Sequence, residues 1–159
     1  MKKIMFICTG NICRSAMADA YMKKRVAEEN LSMEVYSSGI YAEDGGQASY
    51  LAIETMEEYE VDLKSHKSTN TRNSNIVEMD IILCATKGHK ELLIQMYPNL
   101  KEKIYTIKEY AYGENNQDVD ISDPWGYDIT VYRSCTSQIV QALEKIIEKE
   151  KINLDEPKK

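Results

Sequence analysis

Histidine and cysteine are scarce in this chain of 159 residues, with two of the first and four of the second. His66 and His89 lie far from the only close cysteine pair, Cys8 and Cys13. The clustered thiols and imidazoles of a zinc site are therefore missing, and neither a metal nor another cofactor is expected. Long apolar runs are missing as well. The N-terminal run Ile4 to Cys8 meets polar Thr9 and Gly10 at once, too short for a signal peptide or a membrane span. No membrane partner is expected, and the four thiols, Cys8, Cys13, Cys84 and Cys135, are expected to stay reduced in the cytoplasm. Positive charge is also in deficit. Lysine and arginine number 20 against 26 acidic residues, a formal net charge of -6, so the overall field repels polyanions and counts against a nucleic-acid partner.

What remains is an ordinary globular make-up, 43% hydrophobic and 29% charged, in a length that suits one domain. There is no internal repeat and no linker, so residues 1–159 read as a single domain, with 153–159 as a solvated tail. Ile4 to Cys8 reads as a buried strand, and a helix follows from about Cys13 to Glu29. Glu34 to Ser37 suggests a second strand and Ala48 to Tyr59 a second helix. Asp80 to Ala85 is apolar on both alternating faces, as in a parallel sheet covered by helices on either side. A helix near Lys87 to Met96, a strand at Lys103 to Ile107 and a last helix from Ile129 to about Lys149 complete the pattern, with Gly113 to Asp118 as a surface loop. Four strands alternating with helices predict an α/β three-layer sandwich with a four-stranded parallel sheet. Ligands in such sheets sit beyond the carboxyl ends of the strands, which is where the loop Cys8 to Ser15 falls.

That loop carries the chemistry. Backbone N–H groups in a tight turn at a helix N-terminus form an anion-binding nest, and Gly10 permits close backbone approach. Arg14, six residues after Cys8, can bind two phosphoryl oxygens at once, and the positive field of such a turn favours the thiolate of Cys8. A thiolate facing a bound phosphoryl group is a nucleophile in position.

Cys8-Thr9-Gly10-Asn11-Ile12-Cys13-Arg14-Ser15 resembles the Cys-x5-Arg-Ser signature of the low-molecular-weight protein tyrosine phosphatase family, which has a bacterial protein-arginine phosphatase branch. The likeness extends through Ser37-Ser38-Gly39, the segment Asp62 to Ser68, and Asp123-Pro124. Ala16 and Asp19 depart from the family's usual proline and glutamate. The resemblance implies that Cys8 is the nucleophile, Arg14 the phosphate ligand, and Asp123 the acid that protonates the leaving group and then the base that activates water. It implies a hydrogen-bond network of Asn11, Ser15, Ser37 and His66 beneath the loop, and a Cys13 able to form a disulfide with Cys8 on oxidation. The partners it implies are a phosphorylated protein as substrate and inorganic phosphate as product.

The sequence points two ways on the substrate residue. Ile12, Tyr41, Trp125 and Tyr127 form the expected rim. An aliphatic residue such as Ile12 resembles the tyrosine phosphatase branch, where the arginine phosphatases favour threonine. Asp123-Pro124-Trp125-Gly126 and Lys103 to Tyr110 look more like the arginine branch, and Glu43 and Asp44 could suit a guanidinium. Phosphotyrosine is the expected substrate, with phosphoarginine the alternative. Two rivals share the loop. Thioredoxin-coupled arsenate reductases have a cysteine matching Cys84, but their relay needs another a few residues on, where this chain has Gly88-His89-Lys90. Phosphocarrier domains lack the arginine and the Asp-Pro pair.

Overall fold

The computed structural model describes residues 1–115 and 117–155, with side chains of the last helix described to Ile152. Lys2–Cys8 forms β1, and Met33–Gly39 forms β2 beside it, in register from Lys2 opposite Met33 to Cys8 opposite Gly39. On its other side β1 pairs with β3, Ile81–Cys84, which pairs with β4, Ile104–Thr106. The sheet is parallel throughout, in the order β2-β1-β3-β4. β1 therefore lies in the interior, and its last residue, Cys8, leaves the sheet at the centre of its carboxyl edge.

Strand alternation sorts the apolar residues into two cores. Ile4, Phe6, Ile81 and Leu83 face one side, packing against Met17 and Tyr21 of α1 (Arg14–Glu28), Met56 of α2 (Tyr50–Glu57), and Ile139, Leu143 and Ile146 of α5 (Ile129–Asp155). Met5, Ile7, Ile82 and Cys84 face the other side, under Leu93 of α3 (Lys87–Met96) and the flanking Ile76, Met79 and Leu100. Full burial of each such side chain contributes about 1.5–3 kcal/mol. Arg25 also ties α1 to α5, its Nε donating to Glu144 at 2.8 Å.

Two elements differ from the sequence reading. Ile107 opens a further helix, α4 (Ile107–Tyr112), where the strand was expected to continue. The reason is a capping box in which the Thr106 side chain accepts from the Glu109 N–H while Glu109 returns the bond to the Thr106 N–H. At the C-terminus α5 runs to Asp155, so Asn153, Leu154 and Asp155 extend a helix rather than begin a tail, and 156–159 lie outside the described residues. No helix among the described residues is long and apolar enough to cross a membrane.

Candidate active site

The loop from Cys8 to Arg14 is fastened from several sides. Ile40 N–H donates to the Cys8 carbonyl at 3.0 Å, Tyr41 N–H to Thr9 at 2.9 Å, and Ser49 N–H to Ile12 at 2.9 Å. Gly39 is the close approach, since a Cβ there would stand 2.6 Å from the Thr9 carbonyl oxygen and 2.8 Å from the Asn11 nitrogen. At Gly10 a Cβ would meet only Ile12 at 3.7 Å among the protein atoms.

Asn11 turns the loop through a positive φ of 56° while fully buried. Asparagine tolerates this left-handed conformation better than most residues. Its side chain accepts from Thr69 N–H at 2.9 Å and donates to Ser15 Oγ at 2.8 Å, and its carbonyl accepts from His66 Nε2 at 2.7 Å. Because a carbonyl can only accept, His66 carries its proton on Nε2. Ser15 Oγ lies 2.9 Å from Cys8 Sγ and 3.4 Å from the Ser38 carbonyl. A thiol can donate to Ser15, which then donates to Ser38. A thiolate instead takes the Ser15 proton's hydrogen bond together with the Ser15 N–H, 3.4 Å away. Helix α1 has no side-chain cap and no acidic residue in its first turn, so its positive end also faces the sulfur.

Ser37 stands apart from this network. Its hydroxyl donates to Asp19 at 2.7 Å, while Ser38, its neighbour, lies under the loop and bonds Thr71 at 2.9 Å. The two serines point to opposite faces of β2, and Ser38 joins the loop through its backbone carbonyl, which accepts from Ser15, rather than through its hydroxyl.

Arg14 is 4% exposed. Its Nη1 donates to the Ile121 carbonyl at 2.8 Å and its Nη2 lies 3.5 Å from Thr9 Oγ1, while its buried Nε has no partner among the described residues. Asp123 Oδ2 lies 3.7 Å from Arg14 Nη2, and its carboxylate is half exposed. The other carboxylate oxygen accepts from Trp125 N–H at 3.1 Å, and Tyr127 N–H closes a turn onto Pro124 at 3.0 Å, with Gly126 supplying the positive φ of 85°. One oxygen thus holds the turn and the other faces the arginine.

Cys8, Thr9, Gly10, Ile12, Cys13, Arg14, Asp123 and Trp125 line a single cleft of about 190 Å3. Of the expected rim, Ile12 and Trp125 are in place. Tyr41 is 71% exposed and belongs to a neighbouring groove with Leu92 and Met96, and Tyr127 is exposed outside the cleft. A tyrosine's position in a loop does not fix its direction. Asp44 is occupied elsewhere, accepting from Asn70 N–H at 2.7 Å and Asn73 Nδ2 at 2.6 Å. Cys13, free like the other three cysteines, lies 3.3 Å from Tyr132 Oη and 3.4 Å from Ser49 Oγ, and burial pushes its thiol pKa up. Cys84 is wholly buried in β3 and its thiol is pushed far up by desolvation.

One side chain at the site was not foreseen as part of it. His89 Nε2 lies 2.8 Å from Thr9 Oγ1 and its Nδ1 lies 2.8 Å from Thr86 Oγ1. Burial, and next the charge of Arg14, lower its pKa to about 4. The spacing Thr86-x-x-His89 was the available signal, a cap at the start of α3, but nothing local reveals that the imidazole reaches the first loop.

Comparison with known proteins agrees with this geometry. Residues 3–157 match the family described as low molecular weight phosphotyrosine protein phosphatase. The chain is 33% identical to the protein-arginine-phosphatase of Geobacillus stearothermophilus, over 92% of this chain and 95% of that one. It is 30% identical to the low molecular weight protein-tyrosine-phosphatase PtpB of Staphylococcus epidermidis, over 91% and 96%. Among solved structures, the YwlE arginine phosphatase from Geobacillus stearothermophilus superposes with a TM-score of 0.89 at 30% identity, covering 100% of this chain and 99% of that one. The low molecular weight protein tyrosine phosphatase from T. tengcongensis gives 0.87 at 31%, covering 94% and 99%. The chain belongs to the low molecular weight phosphotyrosine protein phosphatase family.

Proposed function

We propose that the protein hydrolyses phosphotyrosine in protein substrates by two phosphoryl transfers. The Cys8 thiolate attacks phosphorus and the P–O bond to the tyrosine breaks, the departing oxygen taking a proton from Asp123. Asp123, now a carboxylate, then takes a proton from water as that water attacks the phosphocysteine. Inorganic phosphate leaves and the thiolate is regenerated. The observation that carries the reading is the buried Arg14 Nε, a donor without a partner among the described residues, on an arginine that lines the same cleft as Cys8. A buried guanidinium N–H is costly unless something accepts from it, and a phosphoryl oxygen is the acceptor that the cleft and the nucleophile call for.

Phosphotyrosine is favoured by Ile12 and Trp125, the apolar side chains of the cleft, which suit the face of a phenyl ring. Neither Glu43 nor Asp44 lines the cleft, and Asp44 is tied to Asn70 and Asn73. Phosphoarginine is the second reading, favoured by the 33% and 32% identity to protein-arginine-phosphatases of Geobacillus stearothermophilus and Bacillus subtilis. Parallel hydrolysis of phosphotyrosine and phosphoarginine peptides by the parent and by Ile12→Thr decides between them. Phosphotyrosine preference in the parent, reduced in Ile12→Thr, is expected; a parent preferring phosphoarginine overturns the choice.

The reading places the enzyme in the cytoplasm, where its four free thiols stay reduced. Cys13 is the proposed partner of Cys8 on oxidation, forming a disulfide that thiols reverse. Mass spectrometry after peroxide should find the Cys8–Cys13 crosslink, and Cys13→Ser should lose the thiol-reversible fraction of its activity.

A further inference from the structure

Thr9 enters the cleft with one hydroxyl, and its hydrogen-bond capacity can be counted. A hydroxyl has one hydrogen and two lone pairs. Arg14 Nη2 lies 3.5 Å from Thr9 Oγ1 and can only donate. His89 Nε2, 2.8 Å away, either donates to the second lone pair or accepts the hydroxyl hydrogen. The far side of the ring meets Thr86 Oγ1, which already accepts from the His89 backbone N–H at 3.1 Å and can either donate its hydrogen to Nδ1 or accept from Nδ1–H on its second lone pair.

An anion in the cleft resolves the choice. With the imidazole proton on Nδ1, Thr9 turns its hydrogen to His89 and leaves a lone pair for the phosphoryl oxygens, which is repulsive. With the proton on Nε2, both Thr9 lone pairs are satisfied and the hydrogen is the only group left to offer outward. Resting on the phosphatase reading above, we propose that His89 is a positioning residue: bound phosphoryl selects its Nε2–H tautomer, and Thr86, His89 and Thr9 form a directed relay that makes the Thr9 hydroxyl a donor to the transferred group.

The imidazole must be neutral for the relay to run in this direction, because a doubly protonated ring cannot accept from Thr86. Burial and the Arg14 charge disfavour the cation, opposed by Asp123 and Asp120, and the balance leaves the ring neutral above pH of about 4. No proton leaves the relay during turnover, so its role is orientation.

The test is a double-mutant cycle on Thr9→Val and His89→Ala, read by kcat/KM on p-nitrophenyl phosphate and by inhibition with inorganic phosphate. Each single variant should lose about tenfold in both, the scale of one hydrogen bond to a charged group. The double variant should be no worse than Thr9→Val, and His89→Gln, which restores a donor amide, should recover activity over His89→Ala. Losses that multiply, or a His89→Ala variant equal to the parent, overturn the proposal. If His89→Ala does not fold, 15N shifts of the parent's imidazole with phosphate bound still decide, since a proton on Nδ1 overturns it and a proton on Nε2 supports it. A parent without Cys8-dependent turnover would instead sink the phosphatase reading, while the phosphate and ring-nitrogen measurements would still judge His89.

Discussion

Asn11 shows how much a single residue carries in this site. It bends the loop through the left-handed region and spends its amide on Thr69 and Ser15, the latter in contact with the Cys8 sulfur. Asn11→Ala leaves the Thr69 N–H without its partner and puts a less tolerant residue at φ 56°, so a loss of about 2–4 kcal/mol is expected in chemical unfolding. At Asp123 the expectation concerns rate. With one carboxylate oxygen on the Trp125 N–H and the other facing Arg14, Asp123→Ala removes the proposed proton donor and loosens the turn. Turnover should fall by about 100-fold or more on poor leaving groups and much less on good ones. Equal losses across a series of aryl phosphates would remove its acid role. Cys8→Ser should retain phosphate binding and lose turnover; residual activity above about one per cent would argue against covalent catalysis through Cys8.

Between elements, the site depends on how closely β2 passes the phosphate loop. Gly39 closes β2 where any side chain would press on backbone atoms of Thr9 and Asn11, whereas a Cβ at Gly10 would make only an ordinary contact with the Ile12 side chain. Gly39→Ala should therefore cost about 1–3 kcal/mol in stability and Gly10→Ala little, so equal thermal shifts in the two variants would contradict this packing. The elements themselves were largely legible in the sequence, because continuous apolar runs such as Ile81 to Cys84 can only be strands covered on both faces. α4 was not, since six residues are too few to show a period and Ile107 continues the apolar run of β4; the Thr106–Glu109 capping box was the readable clue. The loop residues Cys8 to Arg14 were legible because the Cys-x5-Arg-Ser pattern follows directly on the first strand. Ser38, the outward tyrosines and His89 were not, because each depends on direction or on a contact across the fold, 80 residues apart for Thr9 and His89.

For the whole molecule, acid is where the active site and the scaffold meet. His89 has its pKa lowered from 6.5 to about 4, so the unfolded chain binds its proton more readily than the folded one. Its contribution to stability is complete above pH 6.5 and is lost as pH falls toward 4. Glu144, held between Arg25 of α1 and Tyr21, has its pKa lowered below 4.5, chiefly by the hydrogen bond from Arg25, so its contribution persists above 4.5 and fades below it. Stability should then fall in two stages on acidification, the first belonging to the phosphate loop's support and the second to the α1–α5 contact. Thermal melts of the parent and of His89→Gln between pH 7.5 and about 3.5 separate them. The variant should have a flatter profile between 6.5 and 4 and the parent's slope below it; parallel profiles throughout would mean that His89 titrates alike in the folded and unfolded chain. The same half-buried imidazole proposed to orient Thr9 therefore imposes an acid limit on the fold; His89→Gln should remove that limit while keeping a donor to Thr9, and His89→Ala should remove both.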